Sequence, residues 1–406
     1  MSFSERAAAQ QHGLGASPYL SAIIMLAFAV GVTCPGVLSS QSQRVRETDG
    51  VRVVENTSRR TAPMAFQLAT NPTFDLGGLK SNIDDEFTAN GGYLRSVRLS
   101  DGGFAVIDET RIRFYNPAGK QVKVTGRRGG GPGEFEQITG ICRTRGDTLV
   151  VNDPSNGRVT IVDRKGAVVR EVPVGHVDLP WGGGCFDDGT FVVVQSISTD
   201  GKSRSLELIR RRLDGRVLGR LGPFWSSSAN VFISSVATAV ASGSRLYLGD
   251  PRKSEVKVYN PQGKLTTIIR TDDPIERVSS AEQSAMKPQI SVRRGSDAAS
   301  AAVATERLRM APKPMEWPSY GRIAVDPAGR LWVQDYRKTR FDPFVYTGFD
   351  RDGHMLGKFS LPAPTKAEDP MVVAFTENGV IVRRKDNDGA VHLTTYALIP
   401  VRESPP

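Results

Sequence analysis

One pattern constrains the fold of this chain more than any other. A five-residue apolar or β-branched run, in most cases ending on a polar or acidic residue, recurs six times behind a turn glycine. The runs are FAVID (104–108), LVVND (149–153), FVVVQ (191–195), LYLGD (246–250), LWVQD (331–335) and VIVRR (380–384). Counted from their first residues, they lie 45, 42, 55, 85 and 49 residues apart. Each reads as a short strand. A second strand and a tight turn follow, as in IRFYNPAGK (112–120), VTIVDRKGA (159–167), LIRRRLDGRV (208–217), VKVYNPQGK (256–264) and YTGFDRDGH (346–354). Asn-Pro-x-Gly and Asp-Arg-x-Gly suit hairpin loops, because Pro or a polar residue starts the turn and Gly takes its left-handed position. With an opening and a closing strand, every unit holds four antiparallel strands. A repeat of ~45 residues built this way is the mark of a propeller blade.

The predicted fold is therefore all-β, a six-bladed β-propeller of four-stranded antiparallel blades spanning residues 64–400. The last unit, Met371 to Pro400, shows three strands, so the stretch Met64 to Leu76 is expected to supply the fourth and seal the ring. The 85-residue interval contains an insertion, 274–318, between the fourth and fifth units. Its composition predicts one or two short helices over one mouth of the ring, with Ser296 or Asp297 as N-cap. Residues 41–63 read as a linker and 401–406 as a tail.

The first forty residues read as an export signal or a membrane anchor. Tyr19 to Val32 is apolar, and fourteen residues suit a signal peptide better than a spanning helix of ~20. Cleavage after Ser39, lipidation at Cys34 and retention as an anchor all place the remainder outside the cytoplasm. Cys142 and Cys185 are then either a disulfide in an oxidising compartment or two buried thiols.

The net charge of +10 favours anionic surfaces. The cations are scattered, apart from Arg210-Arg211-Arg212, and no nucleic-acid module is recognisable, so nucleic acid is not an expected partner. The most conspicuous loop is GRRGGGPGEFEQITGI (126–141). It lacks both the dinucleotide and the phosphate-loop spacing, and a strand rather than a helix follows it. A degraded copy, GRLGPF (219–224), occupies the equivalent joint between the third and fourth units. The loop is thus read as a turn between blades, with Phe135 plugging the joint.

That loop and the stretch behind it, DTLVVNDPSNGRVTIVDRKG, resemble the NHL-type repeat, with Asp153, Asn156, Gly157 and Arg158 matching its pattern. The resemblance implies a secreted bacterial six-bladed propeller. It says little about function, since such propellers include binding proteins, lyases and lactonase-like hydrolases. Relatives that are enzymes hold a metal in the central channel. Here the expected inner strands offer no histidine and few carboxylates, so neither a metal nor another cofactor is expected. Asp108, Asp153, Asp250 and Asp335 recur at one position, which points to a structural task. Arg95, Glu136, Trp181, Tyr320 and Arg322 are the candidate ligand-binding residues at the channel mouth, suited to an anionic or sugar-like molecule or a protein partner. The bland alternative is that they only pack or solvate the rim. The expected protein is a monomeric binding propeller without chemistry; a metal-dependent hydrolase or lyase is the rival.

Overall fold

The computed structural model describes residues 43–78, 86–87, 94–175, 183–198, 204–226, 233, 236–285, 306, 315–365, 368 and 370–401. The chain divides into two units, Met1–Ser40 and Gln41–Pro406, and every described residue belongs to the second. The expected export signal or anchor lies outside the described residues. Among those described, no helix is long and apolar enough to cross a membrane.

Four strands come first: β1 (Arg44–Thr48), β2 (Val51–Asn56), β3 (Phe66–Leu68) and β4 (Phe74–Gly77). Then follow β5 (Arg95–Arg98), β6 (Phe104–Asp108), β7 (Arg111–Tyr115) and β8 (Gln121–Thr125). The next quartet is β9 (Gly140–Arg143), β10 (Leu149–Asp153), β11 (Arg158–Val162) and β12 (Val168–Pro173). After it come β13 (Gly183–Cys185), β14 (Thr190–Ser198), β15 (Arg204–Arg212) and β16 (Val217–Trp225). The chain continues through β17 (Thr238–Ser242), β18 (Arg245–Gly249), β19 (Glu255–Tyr259) and β20 (Leu265–Thr271). Past the insertion lie β21 (Ile323–Val325), β22 (Leu331–Gln334), β23 (Val345–Phe349) and β24 (Met355–Ser360), then β25 (Met371–Thr376), β26 (Gly379–Lys385) and β27 (Val391–Pro400).

These strands make a β-propeller of four-stranded antiparallel sheets, but not six separate ones. Four blade-like sheets stand alone: β5–β8, β9–β12, β21–β24, and β25–β27 with β3 and β4 on β27. The remaining ten strands form one sheet, because β13 pairs in parallel with β17 and β2 pairs in parallel with β20. The cause of the first fusion is local. Gly183 and Gly184 let the backbone of β13 approach Val240 and Ala241 closely enough to bond; a Cβ on Gly184 would lie 2.4 Å from the Ala241 carbonyl oxygen.

The core lies at the joints between neighbouring sheets. Ile107, Ile112 and Phe114 pack on Leu149, Val151 and Val162. Val150 and Ile161 meet Phe191 and Val193; Val192 and Leu208 meet Leu246 and Leu248. Tyr247 and Val258 meet Leu331 and Val333, and Trp332 and Tyr346 meet Val380 and Val382. Ile381 and Leu393 then return to Phe104 and Val106, which closes the circle. Each such side chain contributes about 1.5–3 kcal/mol on leaving water.

The hairpin turns do more than reverse the chain. Asn116 Oδ1 accepts from the Lys120 amide at 2.9 Å, and Asn260 Oδ1 from the Lys264 amide at 2.9 Å, so each side chain closes its turn across four residues. Gly119 and Gly166, with φ of 83° and 80°, also seat against the outer strand of the preceding sheet. A Cβ on Gly119 would lie 2.2 Å from Phe74, and one on Gly166 would lie 2.9 Å from both Lys123 Cγ and Thr125 Oγ1. Gly166→Ala is therefore expected to lower stability by about 2 kcal/mol, combining a left-handed backbone with a crowded joint. An unchanged urea midpoint would remove the turn from the set of ring contacts.

Two expectations need correction. Residues 41–63 are not a plain linker: Asp49 and Gly50, at φ of 53° and 71°, turn β1 onto β2, and β2 extends the edge of β20. Asp-Gly was a readable hairpin signal, outweighed by the polarity of its surroundings. The helical insertion reduces, among the described residues, to 280–285 and residue 306. Ser279 caps the first stretch, its hydroxyl accepting from the Glu282 amide while the Glu282 carboxylate accepts from the Ser279 amide at 2.8 Å. The proposed caps Ser296 and Asp297 lie outside the described residues. Both ends of the insertion are clasped, with the Val278 amide donating to Met315 O and the Trp317 amide to Glu276 O.

Candidate functional site

The first strands of successive units, β5, β9, β13, β17, β21 and β25, line a channel of about 1440 Å³. They run the same way, so their starts share one mouth and the turns after them share the other. The middle of the wall is small and apolar, with Val97, Ile141, Gly184, Ala239 and Ala324 among its residues.

The two mouths differ in charge. The carboxylates of the wall, Asp101, Asp187, Asp326 and Glu377, all belong to the second mouth, where Arg98, Arg143, Arg245 and Arg351 balance them. At the first mouth the charged lining residues are Arg95, Arg322 and Arg337, with Thr139, Asn152, Gln334, Tyr336 and Tyr346 beside them. Burial pushes the Tyr346 phenol above its ordinary value, while Arg322, Arg337 and Arg95 pull against that shift, so all three guanidinium groups lie within electrostatic reach of this hydroxyl. Tyr346 donates to Gln334 Oε1 at 3.3 Å. Arg337 stacks 3.7 Å over Phe344 and donates to Asp342 O at 2.8 Å, which fixes its loop. Arg322 is exposed, yet the surrounding protein lowers its pKa; the solvent it meets is that of the channel. Two buried oxygens of wall residues, Ser96 Oγ and Asn152 Oδ1, make no hydrogen bond among the described residues.

Of the residues singled out in the sequence, Arg95 and Arg322 therefore meet at one mouth. Tyr320 does not. It is buried, donates to Glu255 O at 3.0 Å and packs between Tyr247 and Ile323 in a joint. Glu136 is exposed in the loop before β9, its amide donating to Asp153 Oδ2 at 3.1 Å, because the strand starts four residues later than its apolar pattern suggested. Trp181 lies outside the described residues. Arg337 and Tyr346 were missed, although Tyr336-Arg337-Lys338-Thr339-Arg340-Phe341 interleaves aromatic and basic residues in a readable way.

The carbonyls of the glycine loop point at side-chain donors: Arg158 Nη2 donates to Gly131 O and Glu134 O, both at 2.8 Å, and Asn156 Nδ2 donates to Gly129 O at 3.0 Å. The Glu134 carboxylate takes the Gly131 amide at 2.8 Å, and that bond holds its pKa below the usual range, with Arg127 helping. Phe135 is fully buried in the joint. The repeated aspartates have diverged. Asp153 accepts from the Glu136 and Gln137 amides at 3.1 Å; Asp108 binds Arg113, Asp250 binds Arg252 and Asp335 binds Arg59. Cys142 and Cys185 are disulfide-bonded, with an S–S distance of 2.08 Å, and join β9 to β13 on the channel wall. Among the described residues, no group of three or more His, Cys, Asp or Glu is placed to hold a metal ion.

No family model matches the chain, and no curated protein matches it in sequence. Solved structures match in shape. A Bacteroides fragilis protein described as exported is 9% identical, with a TM-score of 0.52 covering 86% of this chain and 99% of its own. A DUF4221-family member from Bacteroides vulgatus is 11% identical, with a TM-score of 0.48 covering 83% of this chain and 99% of its own. A streptogramin B lyase is 12% identical, with a TM-score of 0.41 covering 77% and 86%. Identities this low speak to fold and not to activity. The chain is an all-β propeller of four-stranded antiparallel sheets, and its resemblance to NHL-type repeats identifies no family.

Proposed function

We propose that this protein is an exported binding propeller, a monomer without chemistry of its own, that captures an anionic, hydroxyl-bearing small molecule at the first mouth of its channel. In this reading the ten-stranded sheet counts as two blades plus an added hairpin, giving a ring of six. One observation carries the proposal: three arginines, Arg95, Arg322 and Arg337, share a mouth whose described lining has no carboxylate. Guanidinium groups suit carboxylates and phosphates bidentately. Gln334 and Tyr336, which line the same mouth, suit ligand hydroxyls. Export is supported by the apolar stretch Tyr19 to Val32 and by the likeness to the Bacteroides fragilis protein.

The test is calorimetric titration with a hydroxylated tricarboxylate, citrate, at low salt, with glucose as the neutral control. Arg322→Ala and Arg337→Ala should each weaken citrate binding by roughly tenfold or more, as loss of a charged hydrogen bond does. Equal affinity in the variants would remove the site. Stoichiometric calcium or zinc in the purified protein would instead favour a metal-dependent hydrolase or lyase.

A further inference from the structure

Among the described residues, the outer edges of the ring are covered on one half and open on the other. The chain from residue 43 to 77 runs over three outer strands in turn. First β2 pairs with β20, then Pro63 O accepts from the Lys358 amide of β24 at 2.8 Å, and then β3 and β4 pair with β27. No described strand covers β8, β12 or β16. These open edges carry exposed aliphatic side chains at matching places: Val122 (59% exposed), Val169 (63%) and Leu218 (43%). Cations sit beside two of them, Lys123 next to Val122 and Arg170 next to Val169; Glu171, the acid of β12, is engaged by Arg158 and the Gly133 amide, and Arg220 beyond Leu218 is paired with Glu207.

We infer that the open half of the rim, centred on β12, is a docking edge for an extended acidic segment of a partner protein, which adds to it as a further strand. An open edge presents unpaired N–H and C=O groups, and strand addition satisfies them in order. The molecule already uses this mode where β2 extends β20 and where β3 and β4 add to β27. The middle edge is the best template. β16 is interrupted by Gly219, Gly222 and Pro223, and β8 is a residue shorter, whereas β12 runs six residues to Pro173. Charge selects the occupant. A second copy offering its own exposed strand β1, with Arg44 and Arg46, would meet like charge. A bilayer is flat and the rim is convex, so a membrane would reach few of these side chains together. An acidic strand satisfies both the ladder and the cations.

The probe is a fluorescent peptide of four Val-Glu repeats, followed by anisotropy with the full chain at low salt. Saturable binding is expected. Val169→Pro, which puts a proline ring into the edge strand at its register shift, and Val169→Glu, which adds a repelling charge on an exposed side chain, should each weaken it at least tenfold. Ile275→Glu, the same charge change at a site 55% exposed elsewhere, should change it less than twofold. Arg322→Ala should leave it unchanged, which separates this edge from the channel mouth. Circular dichroism checks folding, and Val169→Glu stands alone if the proline variant misfolds. Absence of peptide binding or wild-type binding by Val169→Glu would overturn the inference. So would a dimer in sedimentation that Val169→Glu dissolves, or binding to phosphatidylglycerol vesicles that the peptide cannot compete away.

Discussion

Replacing Arg59 by methionine is expected to lower stability by about 3–5 kcal/mol, because it strands a buried carboxylate. Arg59 is 4% exposed. Its Nε donates to Asp273 Oδ2 at 2.9 Å, its Nη1 to Asp335 Oδ1 at 3.3 Å and its Nη2 to Ser319 O, and the guanidinium lies 5.6 Å over the Tyr320 ring. One side chain thus bolts the N-terminal segment to two sheets. The pH dependence follows from the same contacts. Burial acts to raise the Asp273 pKa, but Arg59 and the hydroxyls of Ser58 and Thr271 outweigh it and hold it below the usual value of 3.8. A carboxyl lowered in the folded state stabilises at pH above its unfolded value, and that stabilisation fades as pH falls through the folded value. Asp335 is raised by burial, so it takes up its proton in the folded chain first and offsets part of the acid loss. The gap in urea midpoint between wild type and Arg59→Met should be widest at pH 7 and narrow below about pH 4. A gap constant from pH 7 to pH 3 would show that packing, not charge, sets the cost.

Reducing the Cys142–Cys185 bond, or replacing both residues by serine, should cost about 4 kcal/mol. That figure is the chain-entropy value for a bond closing a loop across 43 residues. The loop joins β9 to β13, so the loss should concentrate at the joint where Val150 and Ile161 meet Phe191. Urea unfolding with and without dithiothreitol measures it. The double serine variant should match the reduced protein and be indifferent to the reductant. If reduction leaves the midpoint unmoved, the bond is not a staple.

How far the site could be read in advance varied by residue. Arg95 and Arg322 were legible because each borders a first strand, and the direction shared by those strands puts them at one mouth. Glu136 was misplaced because the joint loop consumes the chain up to Thr139 before pairing begins, and apolar pattern does not mark where pairing starts. Tyr320 was misread for a similar reason: its place beside Arg322 suggested the mouth, but the chain is not yet extended there, β21 starting only at Ile323, and it turns Tyr320 into the joint under Gly249, where a Cβ would lie 2.7 Å from its hydroxyl. Arg337 and Tyr346 belong to one unit, yet they join Arg95 only across the ring axis.

What the sequence by itself determined was local and periodic. Strand runs, turn glycines, aspartate-led hairpins and the cysteines at matching places all follow from rules that act within a few residues. The tertiary structure decided which edges are covered, where β13 fuses to β17, and which arginines face one another across the channel. Backbone pairing along an edge is nearly blind to side-chain identity. Its partner is therefore chosen by what the closed ring leaves within reach, and charges tens or hundreds of residues apart become neighbours only once that ring exists.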